Sequence, residues 1–277
     1  MEVWVAGESY LVKKKIGMKR LSDYGFKTEN SVYIVAEIGI NHGGNVKLAK
    51  QLIDSAVKTG ADAVKFQTYI TEKRVAEDSP IYAILKKSEL PFEVFKELKY
   101  YTSQHNIQFF STPFDIESVD YLESINIDYY KVSSFDVTNH LLLSRIAETG
   151  KPIIMSVGMA NFNEVEDAYN VLSRKTRNIA LLHCISAYPM SEEDANMSAI
   201  YTLREKFDCV IGYSDHTNDI QVPLYSVAAG AQIIEKHYRI DADMNCIDEP
   251  VSITELQMKK MVEEIRRIEK IFGSGEL

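Results

Sequence analysis

Residues 32–69, VYIVAEIGINHGGNVKLAKQLIDSAVKTGADAVKFQTY, decide the fold of this chain. An apolar run rich in β-branched residues (32–40) precedes an amphipathic stretch with helical spacing (46–60), and a second apolar run follows (63–69). Strand, helix and strand in this order are typical of a parallel βαβ unit. The helical stretch ends on Gly60, and glycine often ends a helix because it adopts the left-handed conformation without strain.

The same alternation continues along the chain and predicts eight strands. They begin at Val32 (VYIVAEIGI), Ala63 (AVKFQTY), Gln108 (QFFSTP), Asp128 (DYYKVSSF), Pro152 (PIIMSVGM), Ile179 (IALLHCISAYP), Val210 (VIGYSDHT) and Ala231 (AQIIEKHYRI). Helical stretches separate them, and the longest, ITELQMKKMVEEIRRIEKIFG, spans 253–273.

Eight such units over roughly 250 residues predict a (β/α)8 TIM barrel of the α/β class over residues 32–277. A doubly wound sheet usually has fewer strands and often a GxGxxG loop, which the pair Gly43-Gly44 does not form. Residues 1–31 lie outside the repeat. We expect them to form a short N-terminal strap or hairpin over the barrel's N-terminal mouth.

Charge and cysteine usage exclude several classes of protein. A net charge of −9 argues against nucleic acid or an anionic membrane as the main partner. The three cysteines are odd in number and form no CxxC pair, which favours a reduced compartment over a disulfide framework. No window approaches the ~18 apolar residues of a membrane span. We expect a cytoplasmic protein.

Candidate site residues follow from the alternation of side chains along each strand, because barrel active sites lie at the C-terminal strand ends. Three pairs share an interior face: Lys65 with Gln67, Ser214 with His216, and Glu235 with His237. The other strand ends add Glu37, Asn41, Thr112, Lys131, Ser134, Ser156, Ser186 and Tyr188.

Each of these residue types has a chemical use at such a mouth. Lysines and hydroxyls can bind a phosphorylated anion without a P-loop. Imidazoles from neighbouring strands, here His216 and His237, can bind a divalent ion and leave positions open for water and substrate. A glutamate beside them suits proton transfer. The alternatives are a solvent-facing lysine and a core histidine, but an unpaired inward lysine is costly to bury.

The strand motifs also carry a family resemblance. AEIGINHGG, ADAVKFQTY, STPFD, YYKVSSFD, KPIIMSVGMA, LLHCISAYP, GYSDHT and IIEKHY occur in this order on the eight strands. This series resembles the N-acetylneuraminate (sialic acid) synthase family, which includes legionaminate and pseudaminate synthases, from about Val32 to Gly273.

The resemblance implies that phosphoenolpyruvate condenses with an N-acetylmannosamine-type amino-sugar aldehyde to give a nonulosonic acid and phosphate. It implies a divalent metal, Mn²⁺ before Mg²⁺ or Co²⁺, with His216 and His237 as ligands, and Glu37 as the catalytic glutamate. Residues matching the phosphoenolpyruvate site are Lys65, Thr112, Lys131, Ser134, Ser156 and Ser214. Those matching the sugar side are Gln67, Tyr188, Asp248 and Ser186, the last standing where relatives often have Asn.

The resemblance covers the barrel without the antifreeze-like domain that usually follows it in this family and lends an arginine to a partner's site. A homodimer is therefore one expectation for this chain. Arg74, in the long loop 71–90, or Arg239 could replace that arginine, although we expect Arg74 to be a solvated loop charge. Two other functions stay open: a Schiff-base aldolase using Lys131 or Lys65, and a metal- or sugar-binding barrel with impaired catalysis.

Overall fold

Eight parallel strands close into a barrel in the order of the chain, with the eighth strand pairing with the first. The computed structural model that shows this describes residues 18–273. The predicted TIM barrel is confirmed. The strands are β1 (Tyr33–Gly39), β2 (Ala63–Thr68), β3 (Gln108–Pro113), β4 (Tyr130–Val132), β5 (Ile153–Ser156), β6 (Ile179–His183), β7 (Val210–Asp215) and β8 (Ile233–His237).

Helices connect the strands and surround the barrel. Within residues 18–273 they are α1 (Val46–Thr59), α2 (Thr71–Arg74), α3 (Tyr82–Ser88), α4 (Phe92–Gln104), α5 (Ile116–Ser124), α6 (His140–Ala147), α7 (Phe162–Ser173), α8 (Ser198–Lys206), α9 (Gln221–Ala228) and α10 (Glu255–Phe272). The stretch 71–90, predicted as one long loop, thus contains α2 and α3. None of these helices is both long enough and apolar enough to cross a membrane.

Local sequence signals explain where the main helices begin and end. The Asn45 side chain accepts a hydrogen bond from the backbone N–H of Leu48 and caps α1, and Gly60 ends that helix in the left-handed conformation. Thr254 and Gln257 form a capping box that starts α10. These caps fix two helices that pack against each other on the outside of the barrel.

Seven of the eight strands are shorter than the sequence predicted, and β3 alone keeps its predicted bounds. β4 ends at Val132, and a 3₁₀ turn over Ser134–Asp136 follows, so Ser134 lies in a loop. β6 ends at His183, so Ser186 and Tyr188 also lie beyond their strand. At both points the chain leaves the sheet and forms part of the C-terminal rim of the barrel.

Residues 18–31 pack across the N-terminal end of the barrel. Phe26 is buried and stacks on Tyr129, with ring centroids 5.5 Å apart. The backbone N–H of Lys27 donates to the Tyr129 hydroxyl at 2.7 Å, and that of Lys19 donates to Gln232 Oε1 at 2.8 Å. The rest of the predicted strap, residues 1–17, lies outside the described residues.

A buried ion pair on the outer face of the barrel joins β7 to β8. Asp215 and Lys236 are register partners, and both are 0% exposed. Lys236 Nζ lies 2.5 Å from Asp215 Oδ2 and also donates to the Thr217 carbonyl, while Thr217 Oγ1 donates to the same carboxylate at 2.6 Å. The pair directly precedes His216 on one side and His237 on the other, so it holds together the two strand ends that carry them.

Lys236→Met should lower the free energy of unfolding by about 3–5 kcal/mol, because it leaves the buried Asp215 carboxylate without its cation. Adding Asp215→Asn to that variant should recover part of the loss, since the uncompensated charge is gone. Urea denaturation measures both.

The control for this comparison is Lys260→Met on the exposed face of α10, which should change stability by less than about 0.5 kcal/mol. A Lys236→Met variant as stable as this control would show that the pair contributes nothing to the fold.

Candidate active site

A cavity of about 320 Å³ opens at the C-terminal end of the barrel, where the sequence placed the site. Twelve of the thirteen residues that the family resemblance assigned to the site line it: Glu37, Lys65, Gln67, Thr112, Lys131, Ser134, Ser156, Ser186, Tyr188, Ser214, His216 and His237. The thirteenth, Asp248, lies beside it with its carboxylate 3.3 Å from His237 Nδ1. The structure therefore brings the predicted residues together, while their roles stay predictions.

Four buried charges form the floor of the cavity. Lys65 Nζ lies 3.0 Å from Glu37 Oε1 and 3.5 Å from Glu235 Oε2. Lys131 Nζ lies 3.6 Å from Glu235 Oε1. All four side chains are at most 6% exposed. Glu235 thus sits between the two lysines and neutralises part of their charge.

The surroundings shift the pKa of two of these groups toward the charged form and the pKa of the other two toward the neutral form. Burial opposes ionisation of Glu235, but Lys131 and Lys65 outweigh it and bring its pKa down to about 2. Burial also acts against charge on Lys65, yet Glu235 and Glu37 raise its pKa. Burial prevails at the other two, lowering the pKa of Lys131 and raising that of Glu37.

Hydroxyl groups surround the lysines. Lys65 Nζ donates to Thr112 Oγ1 at 3.2 Å, and Lys131 Nζ donates to Ser156 Oγ at 2.7 Å. Ser214 Oγ donates to Glu235 Oε1 at 2.8 Å. Ser134 accepts from the backbone N–H of Gly158 at 3.0 Å. Two ammonium groups among such hydroxyls provide the donors that a small anion with several oxygen atoms needs.

Two imidazoles stand side by side above this floor. The ring centroids of His216 and His237 are 5.6 Å apart. His216 Nδ1 lies 2.6 Å from the Ile185 carbonyl, which fixes the proton there and leaves Nε2 as an acceptor for the Tyr188 hydroxyl at 2.9 Å. Burial lowers the pKa of His216 to about 4, so this ring is neutral. For His237, burial acts in the same sense but Asp248 raises its pKa.

The histidine pair fits a divalent metal that takes part of its coordination from water and substrate. An imidazole nitrogen binds such an ion at about 2.0–2.1 Å, so rings about 6 Å apart can share one. Glu37 Oε2 is buried without a hydrogen-bond partner, and His237 Nδ1 makes no aligned hydrogen bond although Asp248 Oδ2 lies 3.3 Å away. Within residues 18–273 no cluster of three or more ligating side chains forms.

The upper side of the cavity is built around Gln67 and Asp248. The backbone N–H of Asp248 donates to Asn41 Oδ1 at 2.9 Å, and Asn41 Nδ2 donates to the Tyr238 carbonyl at 3.0 Å. Asn41 was predicted to share the interior face with Glu37, but it instead ties down the loop after β8. Gly39 adopts φ +55°, and a Cβ there would lie 3.0 Å from Glu37 Oε1, so the site needs glycine at this position.

One floor residue was placed by strand alternation alone. Glu235 was predicted to share the interior face of β8 with His237, but the family resemblance gave it no role. The structure makes it the partner of both lysines.

The two candidate arginines differ in position. Arg74 lines the cavity and donates from Nη1 to Gln67 Oε1 at 3.0 Å, so its interpretation as a solvated loop charge is wrong. The reason is that Arg74 ends α2 shortly after β2, where its guanidinium packs against Tyr69 and Phe114. Arg239 does not line the cavity and instead pairs with Glu249 at 2.9 Å.

Glu235→Gln should be less stable than the native protein at neutral pH, and the difference should shrink in acid. A carboxylate whose folded pKa of about 2 lies below its unfolded value stabilises the fold above that unfolded value. This contribution is lost as the pH falls from about 4.5 toward about 2. Urea denaturation across this range measures it, with Glu263→Gln on the exposed face of α10 as control. A difference that is constant or grows in acid would contradict the assignment.

Comparison with known proteins places this architecture in a family. The model of the NeuB family matches residues 52–277. The chain is 40% identical over 259 residues to the N,N'-diacetyllegionaminic acid synthase of Campylobacter jejuni, covering 87% of this chain and 78% of that protein. It is 32% identical over 267 residues to a pseudaminic acid synthase of the same species, covering 91% and 78%.

A solved structure agrees with the sequence relatives. The N-acetylneuraminic acid synthetase of Leptospira borgpetersenii superposes with a TM-score of 0.86 at 42% identity, covering 89% of this chain and 86% of that one. The family model extends from within α1 to residue 277, and the relatives and the solved structure cover 87–91% of this chain. The chain belongs to the NeuB family, the N-acetylneuraminate synthase family that its strand motifs indicated, and is an enzyme of that family.

Proposed function

We propose that this enzyme condenses phosphoenolpyruvate with an N-acylated amino-sugar aldehyde of the N-acetylmannosamine type, giving a sialic-acid-like nonulosonic acid and phosphate. The observation that carries the proposal is the floor of the cavity, where buried Lys65 and Lys131 stand among hydroxyl groups directly below two imidazoles. The names of the relatives, synthases of legionaminic and pseudaminic acid, support the same reaction class.

Phosphoenolpyruvate would bind on the floor. Its carboxylate and phosphate carry several negative charges, and Lys65 and Lys131 are the buried cations that can meet them. Thr112 and Ser156, already hydrogen-bonded to those lysines, add donors at the same depth. Lys131 is the less compensated of the two cations, because its carboxylate contact at 3.6 Å is longer than the 3.0 Å contact of Lys65.

His216 and His237 would hold the divalent ion, for which we propose Mn²⁺. When bound, such an ion supplies Lewis-acid polarisation of the sugar carbonyl. The protein fixes the tautomer of His216. The Ile185 carbonyl holds the ring proton on Nδ1, so Nε2 carries the lone pair that an ion would need. Asp248 orients His237 from the other side.

The reaction forms one carbon–carbon bond and exchanges phosphate for water. C3 of phosphoenolpyruvate bonds to the aldehyde carbon, the oxygen of water adds at C2, and the C2–O bond breaks to release phosphate. The water molecule loses two protons, of which one ends on the former aldehyde oxygen and the other leaves with the phosphate. Glu37 is suited to move them, since burial raises its pKa and its Oε2 has no hydrogen-bond partner.

The sugar would lie above the floor. Gln67, Ser186 and Tyr188 line that part of the cavity, and Asp248 stands beside it. These side chains offer amide, hydroxyl and carboxylate groups beside the space that a second substrate would occupy. They suit the hydroxyl groups of an open-chain sugar, which both donate and accept hydrogen bonds.

A Schiff-base aldolase is the second candidate, favoured by the lowered pKa of the buried Lys131. That mechanism would need a covalent imine between Lys131 and a keto acid, and it would make no use of the histidine pair. Borohydride treatment in the presence of pyruvate distinguishes the two. Our proposal expects no adduct, and a stable adduct on Lys131 would favour the aldolase.

Incubation of the native protein with Mn²⁺, phosphoenolpyruvate and N-acetylmannosamine or its diacetamido analogues should release phosphate and form a nonulosonic acid. EDTA should stop the reaction, and His237→Ala should abolish it while the far-UV spectrum stays native. Phosphate release and mass spectrometry measure the outcome. The exposed His140→Ala is the control. Activity that survives EDTA would refute the metal, and absence of product with every sugar would refute the reaction.

Lys131→Met should weaken phosphoenolpyruvate binding, since each charge-assisted hydrogen bond contributes roughly 1.5–3 kcal/mol. Calorimetric titration measures the affinity, and Lys47→Met on the exposed side of α1 is the matched control. An affinity equal to that of the control would remove Lys131 from the anion site.

A further inference from the structure

Arg74 occupies a position that the proposed chemistry does not yet use. It ends the one-turn helix α2, and its guanidinium carbon lies 3.7 Å from the ring centroid of Phe114 and 4.7 Å from that of Tyr69. Its Nη1 donates to Gln67 Oε1 at 3.0 Å. Stacking and hydrogen bond together hold the guanidinium at the cavity wall, on the same side as Gln67.

The charge of Arg74 has no ion-pair partner among residues 18–273, in contrast to its neighbours. Lys73, one position earlier, pairs with Glu117, and Lys86 pairs with Glu72 at 2.8 Å. A guanidinium stays charged in proteins and carries five N–H donors, of which Gln67 takes one. A half-buried cation with unused donors in a cavity is suited to bind an oxygen atom of a ligand.

The wall around Arg74 is apolar. Val75, Ile81 and Phe114 line the same cavity. A phosphate gains nothing from such a wall and binds better where several cations and hydroxyls converge, as they do on the floor. An N-acyl group suits it well, because its carbonyl oxygen accepts from the guanidinium while its methyl group packs on the apolar side chains.

We infer that Arg74 is a specificity-determining residue that binds the carbonyl oxygen of the N-acyl group on the acceptor sugar. The inference rests on the proposed function, since it concerns the second substrate of the same cavity. The guanidinium carbon lies 3.7 Å from the centroid of Phe114, and a planar guanidinium held over an aromatic ring keeps several N–H donors in a fixed arrangement, which a flexible lysine at this position would not do.

The test compares N-acetylmannosamine with mannose, which has a hydroxyl in place of the acetamido group. Arg74→Met should raise KM for N-acetylmannosamine on the order of 10- to 100-fold, since a hydrogen bond to a charged group is lost. The KM for phosphoenolpyruvate and the turnover of mannose should stay unchanged. Arg74→Lys should fall between native and Arg74→Met. Lys73→Met, on the same helix but exposed, is the matched control.

Several outcomes would overturn the inference. One is an unchanged KM of Arg74→Met for N-acetylmannosamine, and another is an equal loss of activity with mannose. A parallel rise in KM for phosphoenolpyruvate would show that Gln67 or the loop is displaced. A loss of activity confined to N-acetylmannosamine 6-phosphate would also contradict the inference. Saturation-transfer NMR with the protein bound to phosphoenolpyruvate separates this inference from the proposed function. N-acetylmannosamine that binds through Arg74 without turnover would refute the reaction alone. No binding by the native protein would refute both.

Discussion

The interior of this barrel is organised by four charges that are buried from solvent and must compensate one another. Lys65, Lys131, Glu37 and Glu235 lie within contacts of 3.0–3.6 Å at the level where the strands end. A single buried charge would be costly, whereas alternating signs in one cluster offset much of that cost. Because the cluster takes one member from each of four strands, the barrel must close in the correct register for any of the charges to be compensated.

The inward and outward residues of strands β7 and β8 have different roles. Their inward residues reach the cavity, and their outward residues Asp215 and Lys236 form an ion pair closed to solvent. Alternation along a strand places neighbours on opposite sides of the sheet, so this pair sits directly behind His216 and His237. The backbone positions that carry the two imidazoles are therefore joined on the outer face of the barrel, away from the cavity.

The fold could be predicted from the sequence because helical and strand periodicities alternate eight times without interruption. Strand parity also grouped Lys65 with Gln67 and placed His216 near His237. Parity makes no prediction for the long stretch 71–90, where backbone direction depends on tertiary contacts, and Arg74 was misjudged for that reason. Asn41 shows a second limit of the sequence-based prediction. It follows β1 at an inward position, but its side chain hydrogen-bonds to the Tyr238 carbonyl and the Asp248 backbone N–H and so holds the loop after β8.

The depth of the cavity has a kinetic consequence. Its floor is closed to solvent, while at its rim Tyr188 is 54% and Phe135 64% exposed. A ligand on the lysines must pass the rim before another ligand occupies the space beside Gln67 and Arg74. On the proposed function, the two substrates therefore add in a compulsory order, with phosphoenolpyruvate first. Early arrival of the sugar would block the way to the floor, so excess sugar should act as a dead-end inhibitor that competes with phosphoenolpyruvate.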